Sequence, residues 1–306
     1  MPQSFEHYAT LPTEQPNPAT ENLDELSTID LLQAINREGQ TVAFAVQKAT
    51  PQIAPVVEAV VKAFNHGGRL FYIGAGTSGR LGVLDASECP PTFSVEPTLV
   101  QGIIAGGDFA LRNAVEGAED DPLAGREAII AANVGANDVV IGLSASGGAA
   151  FVVSAMQEAQ QRGAVTACVT CVVGSALATI VNFPIVVAVG AEVLAGSSRL
   201  KAGTAQKLVL NMISTASMVQ WGKTYGNRMV DVKPTNQKLK ARAVRLVSEI
   251  AGVSVAQATQ ALAVAGGNVK ISIVMLQKSL QLHESVDHLE KCRNALKRAL
   301  NTPFNT

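Results

Sequence analysis

Two short stretches of this chain carry the residue types that hold an anion. Gly74-Ala75-Gly76-Thr77-Ser78-Gly79 and Ser144-Ala145-Ser146-Gly147-Gly148 each follow an apolar run and precede a helical pattern. Glycine lets the backbone approach a ligand closely, N–H groups at the start of a helix point at negative charge, and hydroxyls add donors. Gly76, Thr77, Ser78 and Gly79 in the first loop, with Ser144, Ser146 and Gly147 in the second, are therefore candidate contacts. Tight strand-to-helix turns favour the same residues, so one such loop says little. Two of them, both rich in hydroxyls, favour an anion site. Neither is a nucleotide loop: GxxxxGK[ST] is absent, and the first reads GxGxxGR without an acidic residue at the end of a following strand.

A third stretch, 190–204, packs Glu192, Ser197, Ser198, Arg199 and Lys201 just ahead of a long helical pattern. A helix start accounts for one serine as a cap. It accounts less well for two cations at the positive end of a helix, and an anionic ligand would relieve them.

The elements that must position these residues alternate. Apolar strands are expected at 70–73, 99–104, 139–143, 165–170 and 185–189, with helical segments between them, the pattern of a parallel sheet covered on both faces. Loops that follow parallel strands lie side by side at the carboxyl edge of the sheet, where ligands bind. Ahead of the sheet, the first 25 or so residues form a polar arm. Ser27, with Asp30 three residues on, opens a helix with Leu31, Leu32 and Ile35 as its buried stripe and Gly39 as its end. Further helical segments are expected at 41–49 and 53–64. A short helix at 80–88 should stop at Pro90 and Pro91. A helix follows over 201–221, and beyond 231 only helical segments remain, at 236–250, 255–263, 269–281 and 285–300. The expected organisation is an arm with helices at 1–58, a phosphate-binding α/β domain at 59–226 and a helical module at 227–306.

Composition narrows the class. The 306 residues are 47% hydrophobic and 16% charged with a formal net charge of −1, so no overall field draws the chain to nucleic acid or to acidic membranes. The longest apolar runs are too short to span a bilayer, and no N-terminal apolar stretch resembles a signal peptide. The four cysteines lack a framework of spacings and fit a reducing cytoplasm. Cys168 and Cys171 form a lone CxxC inside a β-rich run, better read as strand packing than as redox chemistry. The four histidines offer no HExxH and no Cys/His ligand set, so no metal is expected.

Together the loops resemble the sugar isomerase domain, a flavodoxin-like three-layer αβα sandwich with a five-stranded parallel sheet that binds phosphosugars. The likeness narrows further. Residues 74–92, Ile104-Ala105-Gly106-Gly107, 114–120, 196–207 and 227–236 are similar to the signatures of N-acetylmuramic acid 6-phosphate etherases. That resemblance implies a phosphorylated amino sugar as substrate and release of D-lactate to leave N-acetylglucosamine 6-phosphate. It also implies no metal or organic cofactor, and a homodimer. One departure is visible: the family usually has Arg-Thr-Pro after the second Ser-x-Ser-Gly, where this chain has Gly148-Ala149-Ala150.

The same resemblance makes Glu88 and Glu119 the catalytic pair. An unactivated ether leaves poorly, but in the open-chain sugar the carbon 2 proton is acidified by the neighbouring aldehyde. One carboxylate can remove it while a carboxylic acid protonates the departing lactyl oxygen. Glu88 falls before Cys89-Pro90-Pro91, at an expected helix C-terminus that disfavours negative charge and suits the acid. Glu119 precedes an expected helix start that favours negative charge and suits the base, with Glu116, Asp120 and Asp121 opposing. Two other readings share the cradles: a non-catalytic phosphosugar sensor, and an aldose–ketose phosphosugar isomerase. Retention of both glutamates in a chain of 306 residues favours the enzyme over the sensor. The Glu88-Cys89-Pro90-Pro91 segment and the C-terminal helices fit the isomerase less well.

Overall fold

The computed structural model describes residues 10–231 and 237–304. The described residues fall into two compact units, 10–87 with 98–214, and 88–97 with 215–231 and 237–304.

In the first unit, Ser27 opens a helix as its spacing predicts, its hydroxyl accepting the Asp30 N–H. The helix, α1 (Thr28–Asn65), then runs unbroken through Gly39, Pro51 and Pro55, so the three segments expected there are one. Val42, Val46, Ala49, Ile53, Val56 and Val60 form a continuous buried stripe at helical spacing. That burial outweighs a mid-helix glycine, which costs roughly 1 kcal/mol. The stripe expected from Leu32 and Ile35 faces outward instead, 57% and 40% exposed, and Ala34 takes the buried position.

Five parallel strands follow: β1 (Leu70–Gly74), β2 (Val100–Ile104), β3 (Val139–Leu143), β4 (Val165–Thr170) and β5 (Phe183–Val186), in the spatial order β2-β1-β3-β4-β5. β1 and β3 are buried along their whole length and pair in register, Leu70 with Val139 and Gly74 with Leu143. β5 starts two residues earlier than expected and contains Pro184. A proline is tolerated because β5 is an edge strand. The outward Val186 N–H is taken by Gln52 Oε1 of α1 at 2.7 Å.

Helices cover both faces, as the strand pattern requires. On one face Phe71, Ile73, Val140 and Cys168 meet α3 (Pro122–Ala131), α4 (Ala150–Gln161) and α5 (Ala176–Ile180) through Ile129, Phe151, Met156 and Leu177. On the other, Tyr72 reaches Asp85 of α2 (Gly76–Phe93) at 3.0 Å. Asp85 in turn accepts from Asn211 (2.7 Å) and Ser214 (3.2 Å) of α6 (Lys201–Gln220). The strands between the two helix layers make this an α/β sandwich with a parallel sheet.

In the second unit a short antiparallel hairpin, β6 (Thr224–Tyr225) and β7 (Arg228–Met229), turns at Gly226. Five helices follow: α7 (Gln237–Ala251), α8 (Val255–Val264), α9 (Val269–Lys278), α10 (Leu282–Lys291) and α11 (Leu296–Asn301). The single helix expected at 285–300 is two, broken at Arg293 and Asn294, both in the left-handed region. Val230, Val247, Ile273, Leu289 and Leu296 meet in its core. Within the 227–236 run, Asp231 accepts from the buried Lys270 at 2.8 Å, while 232–236 lie outside the described residues. No single helix among the described residues is long and apolar enough to cross a membrane.

Candidate active site

In this strand order, chain leaves β1 for a helix on one face and β3 for a helix on the other, which opens a crevice at the carboxyl ends of these neighbouring strands. A cavity of about 430 Å³ lies there, within the size range of small-molecule sites. Both glycine-rich loops line it, through Gly76, Thr77 and Ser78 after β1, and through Ser144 and Ser146 after β3. Ser198 from the third stretch and Glu119 complete the expected residues that the fold brings together.

The local structure explains the donors. α2 begins at Gly76, four residues earlier than the helix expected from residue 80, so the N–H groups of its first turn have no partner within the helix. Gly79 N–H already closes that turn on the Ala75 carbonyl at 3.2 Å, and Gly79 does not line the cavity. In the second loop Gly147 sits at φ +70°, and a Cβ there would lie 2.2 Å from Ser175 Oγ. Gly147 therefore shapes the loop. Its N–H bonds the Ser144 hydroxyl at 3.0 Å, while Ser146 Oγ accepts the Gly148 N–H at 3.2 Å and keeps its own proton to give.

Ser78 is held differently. Its hydroxyl donates to Oε1 of the buried Gln206, on α6, at 2.9 Å, and Gln206 Nε2 is buried without a hydrogen-bond partner. A hydroxyl has one proton, so an anion can receive it only if Gln206 turns its amide. Nε2 then donates to Ser78 Oγ, which frees the serine proton for the ligand. Gln206 was not legible in the sequence, because no motif spacing links it to residue 78.

Glu192, Arg199, Lys201 and Ser197 do not line the cavity. Glu192 is fully buried, and its two oxygens accept the Lys201 and Ala202 N–H groups at 2.7 and 2.9 Å, capping α6. Lys201 Nζ donates to Glu38 Oε2 at 2.8 Å and to the Ala191 carbonyl at 3.0 Å. The unrelieved cation expected at this helix start is thus relieved from within, by Glu38 of α1. Lys201 first, through its hydrogen bond, holds the Glu38 carboxyl below the usual range.

Glu119 lies in a 3-10 turn, Ala118–Asp120, exposed on the cavity wall. Arg80 tethers the segment leading to it, donating to the Leu111 and Asn113 carbonyls at 3.1 and 2.9 Å. The helix-start effect expected at Glu119 is taken by its neighbour: Asp121 Oδ1 caps α3, accepting the Leu123 and Ala124 N–H groups, both at 3.0 Å. Although its side chain is open to the cavity, Glu119 is pushed above the ordinary glutamate value, first by the partial desolvation of its carboxyl on the cavity wall and then by the charge of Asp120. Glu88 belongs to the second unit and is exposed. It does not end its helix, since α2 continues through Pro90 and Pro91 to Phe93. Both prolines fall in the last turn, where Ser94 N–H closes on the Pro90 carbonyl at 2.9 Å. Two N–H bonds are forgone there, and only Thr92 and Phe93 follow within the helix, so the break is confined to its end.

Family models match as glucokinase regulatory protein N-terminal SIS domain over residues 52–160, SIS domain over 123–216, and C-terminal lid domain of glucokinase regulatory protein over 226–265. A protein of Geobacillus thermodenitrificans named N-acetylmuramic acid 6-phosphate etherase is 49% identical over 97% of this chain and 99% of its own length. Another with that name, from Cutibacterium acnes, is 54% identical over 86% of this chain and 87% of its own. This chain belongs to the N-acetylmuramic acid 6-phosphate etherase family. Among solved structures, a phosphoheptose isomerase from Francisella tularensis aligns at a TM-score of 0.49 and 18% identity, over 63% of this chain and all of that one.

In the second loop the chain has Gly148-Ala149-Ala150 in place of the Arg-Thr-Pro that the resemblance leads one to expect. Ala149, which lines the cavity, is the N-cap of α4 and has no side-chain cap bond. The expected threonine and proline would stand at the N-cap and the first helical position, both favoured there. Ala149 leaves that cap unmade, and among the described residues no Lys or Arg lines the cavity. Leu11, Thr13 and Glu14 of the N-terminal arm also line it, a contribution that motif spacing did not announce. Cys168 and Cys171 are buried, and burial pushes both thiols up to about 12. They pack the sheet and are poor nucleophiles at neutral pH. No cluster of three or more His, Cys, Asp or Glu placed to hold a metal occurs among the described residues.

Proposed function

We infer that this chain cleaves the D-lactyl ether of N-acetylmuramic acid 6-phosphate, giving N-acetylglucosamine 6-phosphate and D-lactate. It is a carbon–oxygen lyase. Near-full-length identity of about half to proteins named for this activity carries the reading, and the cavity between two hydroxyl-rich loops is consistent with a phosphosugar. The sensor alternative is not favoured, because the relatives named etherase align over almost the entire chain. Incubating the purified protein with the sugar phosphate and assaying free lactate tests the activity. Failure to release lactate would overturn it.

The proposed chemistry is elimination followed by addition. Glu119 takes the carbon 2 proton of the open-chain sugar. The carbon 3–oxygen bond breaks, Glu88 protonates the departing lactyl oxygen, and an unsaturated aldehyde remains. Water adds across that double bond, its oxygen to carbon 3 and a proton to carbon 2, so both glutamates regain their starting states. The 6-phosphate is assigned to the helix-start N–H groups with Ser78 and Ser146, assisted by Thr77, Ser144 and Ser198. A charge-assisted hydrogen bond contributes about 1.5–3 kcal/mol. Ser78→Ala is therefore expected to weaken sugar phosphate binding about tenfold to a hundredfold, and unchanged saturation kinetics would remove Ser78 from the site. The same reading makes the enzyme a cytoplasmic homodimer in the turnover of cell-wall amino sugars, with the phosphosugar domain at 59–226 and the helical module at 227–306.

A further inference from the structure

Residues of the N-terminal arm lie on the first unit as a strap, held at three points. The Thr13 carbonyl accepts the Gly196 N–H at 2.9 Å. Thr20 Oγ1 donates to the Val193 carbonyl at 2.8 Å. Asn17 Nδ2 donates to Glu38 Oε2 at 2.9 Å, the same oxygen that Lys201 binds. Leu11 and Thr13 are buried, at 4% and 2% exposure. Lys201, Glu192 and Glu38, which do not line the cavity, thus serve to fix the strap and the loop beneath it.

What the strap presents is Glu14. It is exposed, and it lines the cavity together with Ser78, Ser146 and Glu119. Its Oε2 lies 3.0 Å from the point that a Cβ on Gly196 would occupy, and Gly196 sits at φ +78°. Both the backbone and the space therefore call for glycine there, and the result is room for a carboxylate. A carboxylate in a cavity for an anionic sugar is costly if it faces the anionic groups. The proposed substrate has two, the phosphate and the lactyl carboxylate, and like charges repel. Between them the sugar offers only neutral donors, its hydroxyls and the acetamido N–H.

We infer that Glu14 is a specificity-determining residue whose carboxylate accepts hydrogen bonds from the neutral donors of the sugar, between the phosphate and the lactyl ether. This rests on the etherase reading above. The strap then does more than cover the site, since it measures the distance from the phosphate to a hydroxyl or amide.

Kinetics of the full-length protein with and without inorganic phosphate as competitor test the inference. Phosphate alone probes the loop donors, and the sugar phosphate probes those donors plus Glu14. Glu14→Ala is expected to raise KM for the sugar phosphate about tenfold to a hundredfold, the worth of one charge-assisted hydrogen bond. Inhibition by phosphate should stay at its wild-type strength. Glu14→Gln, which keeps one acceptor oxygen, should recover part of the loss. Tighter phosphate inhibition in Glu14→Ala would place the carboxylate at the phosphate and overturn the inference. A parallel loss of phosphate and sugar phosphate binding would reduce the strap to a structural part and also overturn it, as would unchanged kinetics. A wild-type protein that releases no lactate defeats the etherase reading itself, before any variant is compared.

Discussion

Glu119→Gln is expected to lose turnover by about 10²–10⁴-fold, the usual worth of a positioned base, and to lose exchange of the carbon 2 proton with solvent in step with it. Glutamine keeps the shape of the side chain and its place in the Ala118–Asp120 turn but cannot accept the proton. Arg80 and the Asp121 cap hold the segment on either side independently of residue 119, so the fold should survive the change. The wild-type pH profile carries a linked signature. A base must be ionised to act, and Glu119 is held above the ordinary glutamate value by the partial desolvation of its carboxyl and then by Asp120. The acidic limb of kcat/KM should therefore lie at higher pH than an unperturbed glutamate would give. Exchange surviving at the wild-type rate in Glu119→Gln would remove it as the base.

Glu88→Gln should lose lactate release by a similar factor but part from Glu119→Gln in one respect. Proton abstraction at carbon 2 needs only the base, so slow exchange into unreacted sugar should persist while the ether stays intact. The two variants together order the steps. Equal loss of exchange and lactate release in both would mean that proton removal and ether departure are not separable. Wild-type lactate release in Glu88→Gln would mean that the proton on the leaving oxygen comes from elsewhere.

The sheet was legible because its strands are buried on both faces and so read as apolar runs between helical patterns. The loops were legible because glycine and hydroxyl side chains cluster where β1 and β3 end. Spacing failed wherever tertiary burial overrode a local breaker. Gly39, Pro51 and Pro55 do not interrupt α1, since its stripe from Val42 to Val60 is buried as one surface. Pro90 and Pro91 do not stop α2 at once, since they fall in its last turn and only Thr92 and Phe93 follow them within the helix. The pair Arg199 and Lys201 suggested a ligand because the partner of Lys201, Glu38, stands 163 positions away and no local pattern connects them. Gln206 beneath Ser78 and Glu14 beside Gly196 were hidden for the same reason. Contacts made across the fold leave no periodic trace in the chain.

Turnover in oxygen-18 water tests the central claim most directly. If the ether opens by elimination from carbon 2 and carbon 3 and water then adds at carbon 3, solvent oxygen appears in the carbon 3 hydroxyl of the sugar product and not in lactate. Run in heavy water, the same reaction places deuterium at carbon 2. Solvent oxygen recovered in lactate would mean attack on the lactyl carbon. Neither Glu119 as carbon 2 base nor the elimination itself would then stand.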